Sequence, residues 1–388
     1  MTRGHGALRD IHWSKAPMAT QLKDATSSVE MQTKPAAQPR YLALDAYRGF
    51  IMLILSSGGF GLAALAARRP EWAWLADQFE HKPWEWIAFW DLIQPAFMFM
   101  VGVAMPFALA RRVELGASRR ELFWHVVWRS LRLILMSQIL ISISAGHLQF
   151  QMINVLAQIG ITYFLCYLIM QLRFRWQVVI AAVLMIGYWA LFVAFPGTEG
   201  PFLSKDTNVG ARIDIWVFGH QNGDHWTTIN FVTSTVTNLF GVWAGLLLQS
   251  SRTHAQKMRI LAAWAAGCLI AGLAIEPWNP IIKRICTTSF TLYSGGWVLL
   301  MLLAFYWMVE VKGWRKWTFP LLVVGANSIF IYSLDQVLRG WLSRAVGALT
   351  GKFAFLGDFA PVALSCTVLL VMWYLCYWLY QRRIFLKL

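Results

Sequence analysis

The sequence predicts an all-α fold, a polytopic membrane helix bundle of about ten spans, and three observations predict it. Of the 388 residues, 58% are hydrophobic and 14% charged, against about 25% charged in a soluble globular chain. The apolar residues come in runs close to the ~20 residues that cross a bilayer core as a helix. The 34 Lys and Arg fall in short clusters between those runs. The net charge of +15 therefore reads as a topology signal and not as a nucleic-acid face, which needs a soluble basic surface.

Taken in order, the apolar runs place helices at about 49–67, 87–110, 124–145, 151–171, 177–195, 230–249, 260–275, 288–309, 319–338 and 359–380. With the N-terminus inside, 24 of the 34 basic residues lie in cytoplasmic segments and 10 in outer ones. An excess of Lys and Arg marks the cytoplasmic side, so both termini are expected there. Residues 1–40 are polar and mixed in charge, without the apolar stretch of a secretory signal. They are expected to be a disordered cytoplasmic tail ahead of a membrane domain at 41–388. Cys166, Cys268, Cys286, Cys366 and Cys376 show no CxxC spacing, so neither a disulfide framework nor a zinc site is indicated. The spans do not divide into the matching halves of an inverted-repeat transporter. GxSxG, P-loop and HExxH motifs are absent.

Function is expected where ionisable residues meet the apolar runs, because such groups are costly near hydrocarbon and persist where they act. The stretch FEHKPWEWIAFWDLIQPAFMFMVGVAMP, 79–106, carries His81, Asp91 and Gln94 at the outer mouth of the second span. Asp91 alone reads equally well as a helix cap. Histidine is the side chain most easily poised for proton transfer near neutral pH, and the pair is more telling than either member. On the cytoplasmic side, Asp45 and Arg48 precede the first span, as a positive-inside anchor with a local ion pair or as an anion site. Asn154 and Gln158 share one helical face, suited to helix packing or to ligand contact. Lys283, Arg284, Thr287, Thr288 and Ser289 open the eighth span, as an N-cap with interfacial charges or as a site for an anionic group. Asn327 and Asp335 are polar groups of the ninth span that need partners. The same groups would also suit a transporter for a small polar or anionic solute.

Six blocks carry a resemblance: RYLALDAYRGF, HKPWEWIAFWDLIQPAFMFMVGVAMP, NVLAQIGITYF, NLFGVWAGLLL, WNPIIKRICTTSFTLYSGGWVLL and FPLLVVGANSIFIYSLDQVL, in that order along nearly the whole membrane region. In these the sequence resembles the heparan-alpha-glucosaminide N-acetyltransferase family of polytopic membrane acyltransferases, in particular its bacterial members. The resemblance implies transfer of an acetyl group from cytoplasmic acetyl-CoA to an amino sugar or related glycan across the membrane, here a bacterial inner membrane. It maps the family's active histidine onto His81, which would be the base or, in a two-step reaction, an acyl carrier, with Asp91 orienting the imidazole or stabilising the imidazolium. Polar walls at Asn154, Gln158 and Asn327 would carry the thioester outward, and Arg48, with Asp45, Arg129 and Arg132, would meet the CoA end. Gln94, Lys283, Thr288, Ser289 and Asn327 would serve the acceptor. The chain leaves the family's pattern at Ser56 and Ser57, where an Asn is frequent, and at Glu85 and Trp86, where a Gly usually follows the Trp. The aromatic-rich lipid face suits a monomer or a homodimer.

Overall fold

The computed structural model describes residues 41–197 and 200–386; the tail expected at 1–40 lies outside them. In these residues fourteen α-helices follow one another: α1 Leu42–Leu55, α2 Leu62–Ala66, α3 Ala73–Ala76, α4 Ile93–Glu114, α5 Arg119–Ala145, α6 Val155–Met170 and α7 Phe174–Ala194, then α8 Val209–Phe218, α9 Phe231–Gln249, α10 His254–Ile275, α11 Thr288–Tyr306, α12 Phe319–Ala326, α13 Ser328–Leu349 and α14 Ala360–Gln381. The extended pairing among the described residues is a single antiparallel bridge, Glu85 to Ile282.

Every apolar run of the sequence has a helical counterpart, but not every one is a straight span. Among the described residues seven helices are long and apolar enough to cross a membrane, and nine when two bent pairs are each taken as one span. The first pair breaks by 44° after α1 and the second by 68° between α12 and α13. A tenth crossing would have to be α6, whose 16 residues extend about 24 Å at 1.5 Å per residue, short of a core about 30 Å thick.

Burial sorts the helices into a centre and a rim. In the spans that contain α4 and α9, 78% and 83% of the most apolar window is buried, whereas in α7 and α10 it is 22%. The two central helices touch backbone to backbone. A Cβ on Gly102 would stand 2.0 Å from the Asn238 carbonyl oxygen, and one on Gly241 would stand 2.0 Å from that of Phe99. Close approach through small residues is how helices associate where lipid removes the hydrophobic drive between them.

The breaks are built from polar groups. After α1, Gly58, Gly59 and Gly61 all take positive φ. Arg339 of α13 donates to the carbonyls of Ser56 and Ser57 at 2.6 and 2.7 Å and is paired with Asp335 at 3.0 Å. Backbone groups freed in an apolar setting need such replacement partners. Asn327 closes α12, and its amide holds the end of the chain through Ile384 O at 3.1 Å and the Leu386 N–H at 3.0 Å.

Candidate active site

The histidine loop is placed by the lysine loop. The Glu85–Ile282 bridge and a 2.8 Å bond from the Trp86 N–H to Ile281 O join residues nearly 200 apart in the chain. To make this turn Trp86 adopts φ 68°, a left-handed conformation that suits glycine and strains a bulky residue. The departure at Trp86 thus falls at a position whose backbone favours Gly. The Ser56–Ser57 departure is the break after α1, held from Arg339.

Asp91 caps the helix and also contacts His81 and Lys283, so the cap and the pairing with His81 occur together. Its Oδ2 accepts the backbone N–H groups of Ala88 at 2.9 Å and Lys82 at 3.3 Å. Its Oδ1 faces His81 Nδ1 at 2.8 Å and Lys283 Nζ at 3.0 Å. Asp91 is 1% exposed and Lys283 6% exposed, while the His81 side chain is 45% exposed. A carboxylate locked at one end against backbone donors thus presents its other oxygen to two basic groups, one hidden and one open.

Lys283 is held out of water by its own turn. Cys286 donates its backbone N–H to Lys283 O at 2.9 Å, Thr233 Oγ1 donates to Cys286 O at 2.6 Å, and the Trp226 ring centre lies 5.0 Å from Nζ. Burial lowers the Lys283 pKa below its usual range, opposed by the Asp91 carboxylate. Burial likewise pushes the Cys286 thiol up to about 11, so it is no thiolate at neutral pH.

His81 and Lys283 open onto a cavity of about 540 Å³. Gln94, one turn past Asp91, and Asn154, the cap of α6, line it with Trp90, Trp226, Gln336 and the Asn222–Asp224 loop. The indole rings of Trp90 and Trp226 stand 6.5 and 6.4 Å from the imidazole. Met52, Leu55 and Phe97 also line it. Arg48 lies one turn before Met52 on the same face of α1, bonded to Asp45 at 2.9 Å and to Gly325 O at 2.9 Å.

The sequence-predicted residues divide in two. His81, Asp91, Gln94, Lys283 and Asn154 come together. The remainder do not line this cavity. Gln158 donates to Met152 O at 2.9 Å and Thr228 O at 3.3 Å. Thr288 and Ser289 bond Met185 O and Pro280 O at 2.8 and 2.9 Å. Arg129 lies over the Tyr163 ring at 4.6 Å, and Arg132 is exposed. Sequence reasoning missed the direct contact of Lys283 with the His81–Asp91 pair, and it missed Trp90, Trp226, Tyr332 and Gln336. The only signal for Trp90 was its place beside Asp91.

No family model matches the chain. It is 22% identical to the mouse protein named heparan-alpha-glucosaminide N-acetyltransferase, over 94% of this chain and 63% of that protein. It is 22% identical to the human protein of the same name, over 79% of this chain and 54% of that protein. The chain is a distant relative of both. It spans less than two thirds of either one's length.

Proposed function

We propose that the chain is a transmembrane acetyltransferase that moves an acetyl group from cytoplasmic acetyl-CoA to the amine of a sugar or related glycan on the outer side of a bacterial inner membrane. The observation that carries this reading is the half-open imidazole of His81 at a cavity mouth, fixed at Nδ1 by the buried Asp91. An ammonium acceptor must lose a proton before it attacks a thioester carbonyl, and a positioned imidazole takes such a proton with a typical gain of roughly 10²–10⁴. Asp91 orients the ring and balances the imidazolium, as a buried carboxylate does in other histidine-based sites. Two protons leave the ammonium nitrogen in all: His81 takes one and returns it to the departing thiolate, the other is released to solvent as the amide forms, and the histidine ends as it began.

The tetrahedral intermediate needs donors for its oxyanion. Gln94 lines the cavity one turn from Asp91, and its amide is the proposed donor. Trp90 and Trp226 both line the cavity, and aromatic walls suit the apolar face of a pyranose ring. On the donor side, Arg48 stands one turn inward of the cavity wall with Asp45 beside it and is the proposed contact for the CoA end.

Sidedness is tested in sealed vesicles containing the purified protein in one orientation. Acetyl-CoA placed on the Arg48 side and glucosamine on the His81 side should give N-acetylglucosamine, and the reverse arrangement should give none. Solute crossing without acetyl transfer would move the reading to transport.

A further inference from the structure

Three atoms meet at the mouth of α4. His81 Nδ1, Asp91 Oδ1 and Lys283 Nζ lie 2.8, 3.0 and 3.0 Å from one another. A carboxylate oxygen only accepts and an ammonium only donates, but an imidazole nitrogen does one or the other according to its proton. If Nδ1 carries the proton, it donates to Asp91 and sets N–H against N–H at Lys283. If Nδ1 is bare, it accepts from Lys283 and turns its lone pair toward Asp91 Oδ1, 2.8 Å away, with the ammonium donating to both. A neutral ring has one proton, so whatever decides Nδ1 also decides Nε2.

We propose that Lys283 is the tautomer switch of this site: its ammonium keeps the His81 proton on Nε2, and loss of one proton from the pair moves that proton to Nδ1 and bares Nε2 as a base. The proton balance is simple. In the switch one Nζ proton crosses to Nδ1, the Nε2 proton leaves to water in the cavity, and the pair loses one positive charge overall. No bond to carbon forms or breaks. Asp91 stays a carboxylate throughout, bonded to Lys283 in the first state and receiving Nδ1–H in the second.

The surroundings suit a lysine that gives up its proton. Nζ is hidden against Trp226, and the guanidinium of Arg284 adds to the burial that lowers its pKa. From the other elements it meets His81 of the histidine loop and Asp91 at the head of α4, and from its own turn Cys286. Asp224 lines the same cavity, and Lys82 is occupied by Asp77. Among the described residues Asp91 is thus the one carboxylate that touches the ammonium, and a single carboxylate shared with an imidazole stabilises it less than a dedicated partner would.

The catalytic consequence rests on the proposed acetyl transfer, while the tautomer itself does not. Histidine labelled with ¹⁵N in the full-length protein, with the His81→Gln spectrum to assign the signal, reports which ring nitrogen bears hydrogen. Above the titration of the imidazolium, wild type should show Nε2–H at lower pH and Nδ1–H at higher pH. Lys283→Arg keeps its charge at all working pH and should stay Nε2–H throughout, whereas Lys283→Met should be Nδ1–H throughout. One tautomer common to all three proteins at every pH would overturn the switch. If the Met variant does not fold, the Arg variant decides, because it retains the charge against Asp91. In kcat/KM, Lys283→Met should move the acid limb of the pH profile to lower pH than in wild type, because no second proton has to leave. A lysine of purely structural importance would lower the rate without moving the limb. If wild type transfers no acetyl group at all, the proposed function fails and the spectra still decide the switch.

Discussion

Both ends of this bundle bury ionisable groups, and they use them in opposite ways. At the end where α1 begins, charges close helix termini. Glu310 accepts the Ala43 N–H at 2.9 Å, Tyr41 and Lys257 both donate to Leu248 O at 2.7 and 2.6 Å, and His254 pairs with the Tyr306 hydroxyl at 2.8 Å. At the cavity end, His81, Asp91 and Lys283 bond chiefly to one another, and one of the three opens to solvent. Polar groups spent on backbone atoms stabilise the fold. Groups that hold one another beside an open cavity leave capacity for a substrate.

Substitutions break or sharpen that contrast. The largest effect is expected at Asp91→Ala, which removes the anchor of His81 and leaves Lys283 buried without its counter-charge. Acetyl transfer should fall roughly 10²–10⁴-fold and stability by about 3–5 kcal/mol, read by thioester consumption and by thermal unfolding. Next, Gln94→Ala should lower kcat roughly 10²-fold with KM little changed, the pattern of a donor used only in the transition state.

At the opposite end, Glu310→Ala should cost about 1–3 kcal/mol, the worth of a charged hydrogen bond to a backbone N–H. The rate per folded molecule should stay at the wild-type value. A rate loss matching that of Gln94→Ala would erase the contrast between the two ends. The smallest effect belongs to Trp86→Gly. Relief of the left-handed backbone, about 1–2 kcal/mol, is offset by the chain entropy of glycine, about 0.5–1 kcal/mol. A net gain of about 0.5 kcal/mol in unfolding free energy with unchanged kcat is expected.

The helices were legible because apolar runs of span length have few other uses, and each run did become helical. Their breaks were not. Residues 319–338 read as one span, yet Asn327 bends it, and the partners that make the bend tolerable, Ile384 and Leu386, lie 57 and 59 residues further on. In the site, His81 and Asp91 could be paired from their ten-residue spacing at a helix mouth. Lys283 was visible as a charge at an outer loop but not as their third member. Its position depends on the bridge between Glu85 and Ile282, a long-range pairing that no local pattern encodes. Asn327, Thr288 and Ser289 show the converse. Their residue types suited a ligand, and carbonyls elsewhere in the fold took them instead.

The central claim is that His81 removes the acceptor's proton. Its most direct test is the initial rate of N-acetylglucosamine formation from labelled acetyl-CoA and glucosamine, in wild type and His81→Ala, at equal amounts of folded protein. The account predicts product in wild type and a rate at least ~10²-fold lower in the variant. Equal rates in the two proteins would contradict it.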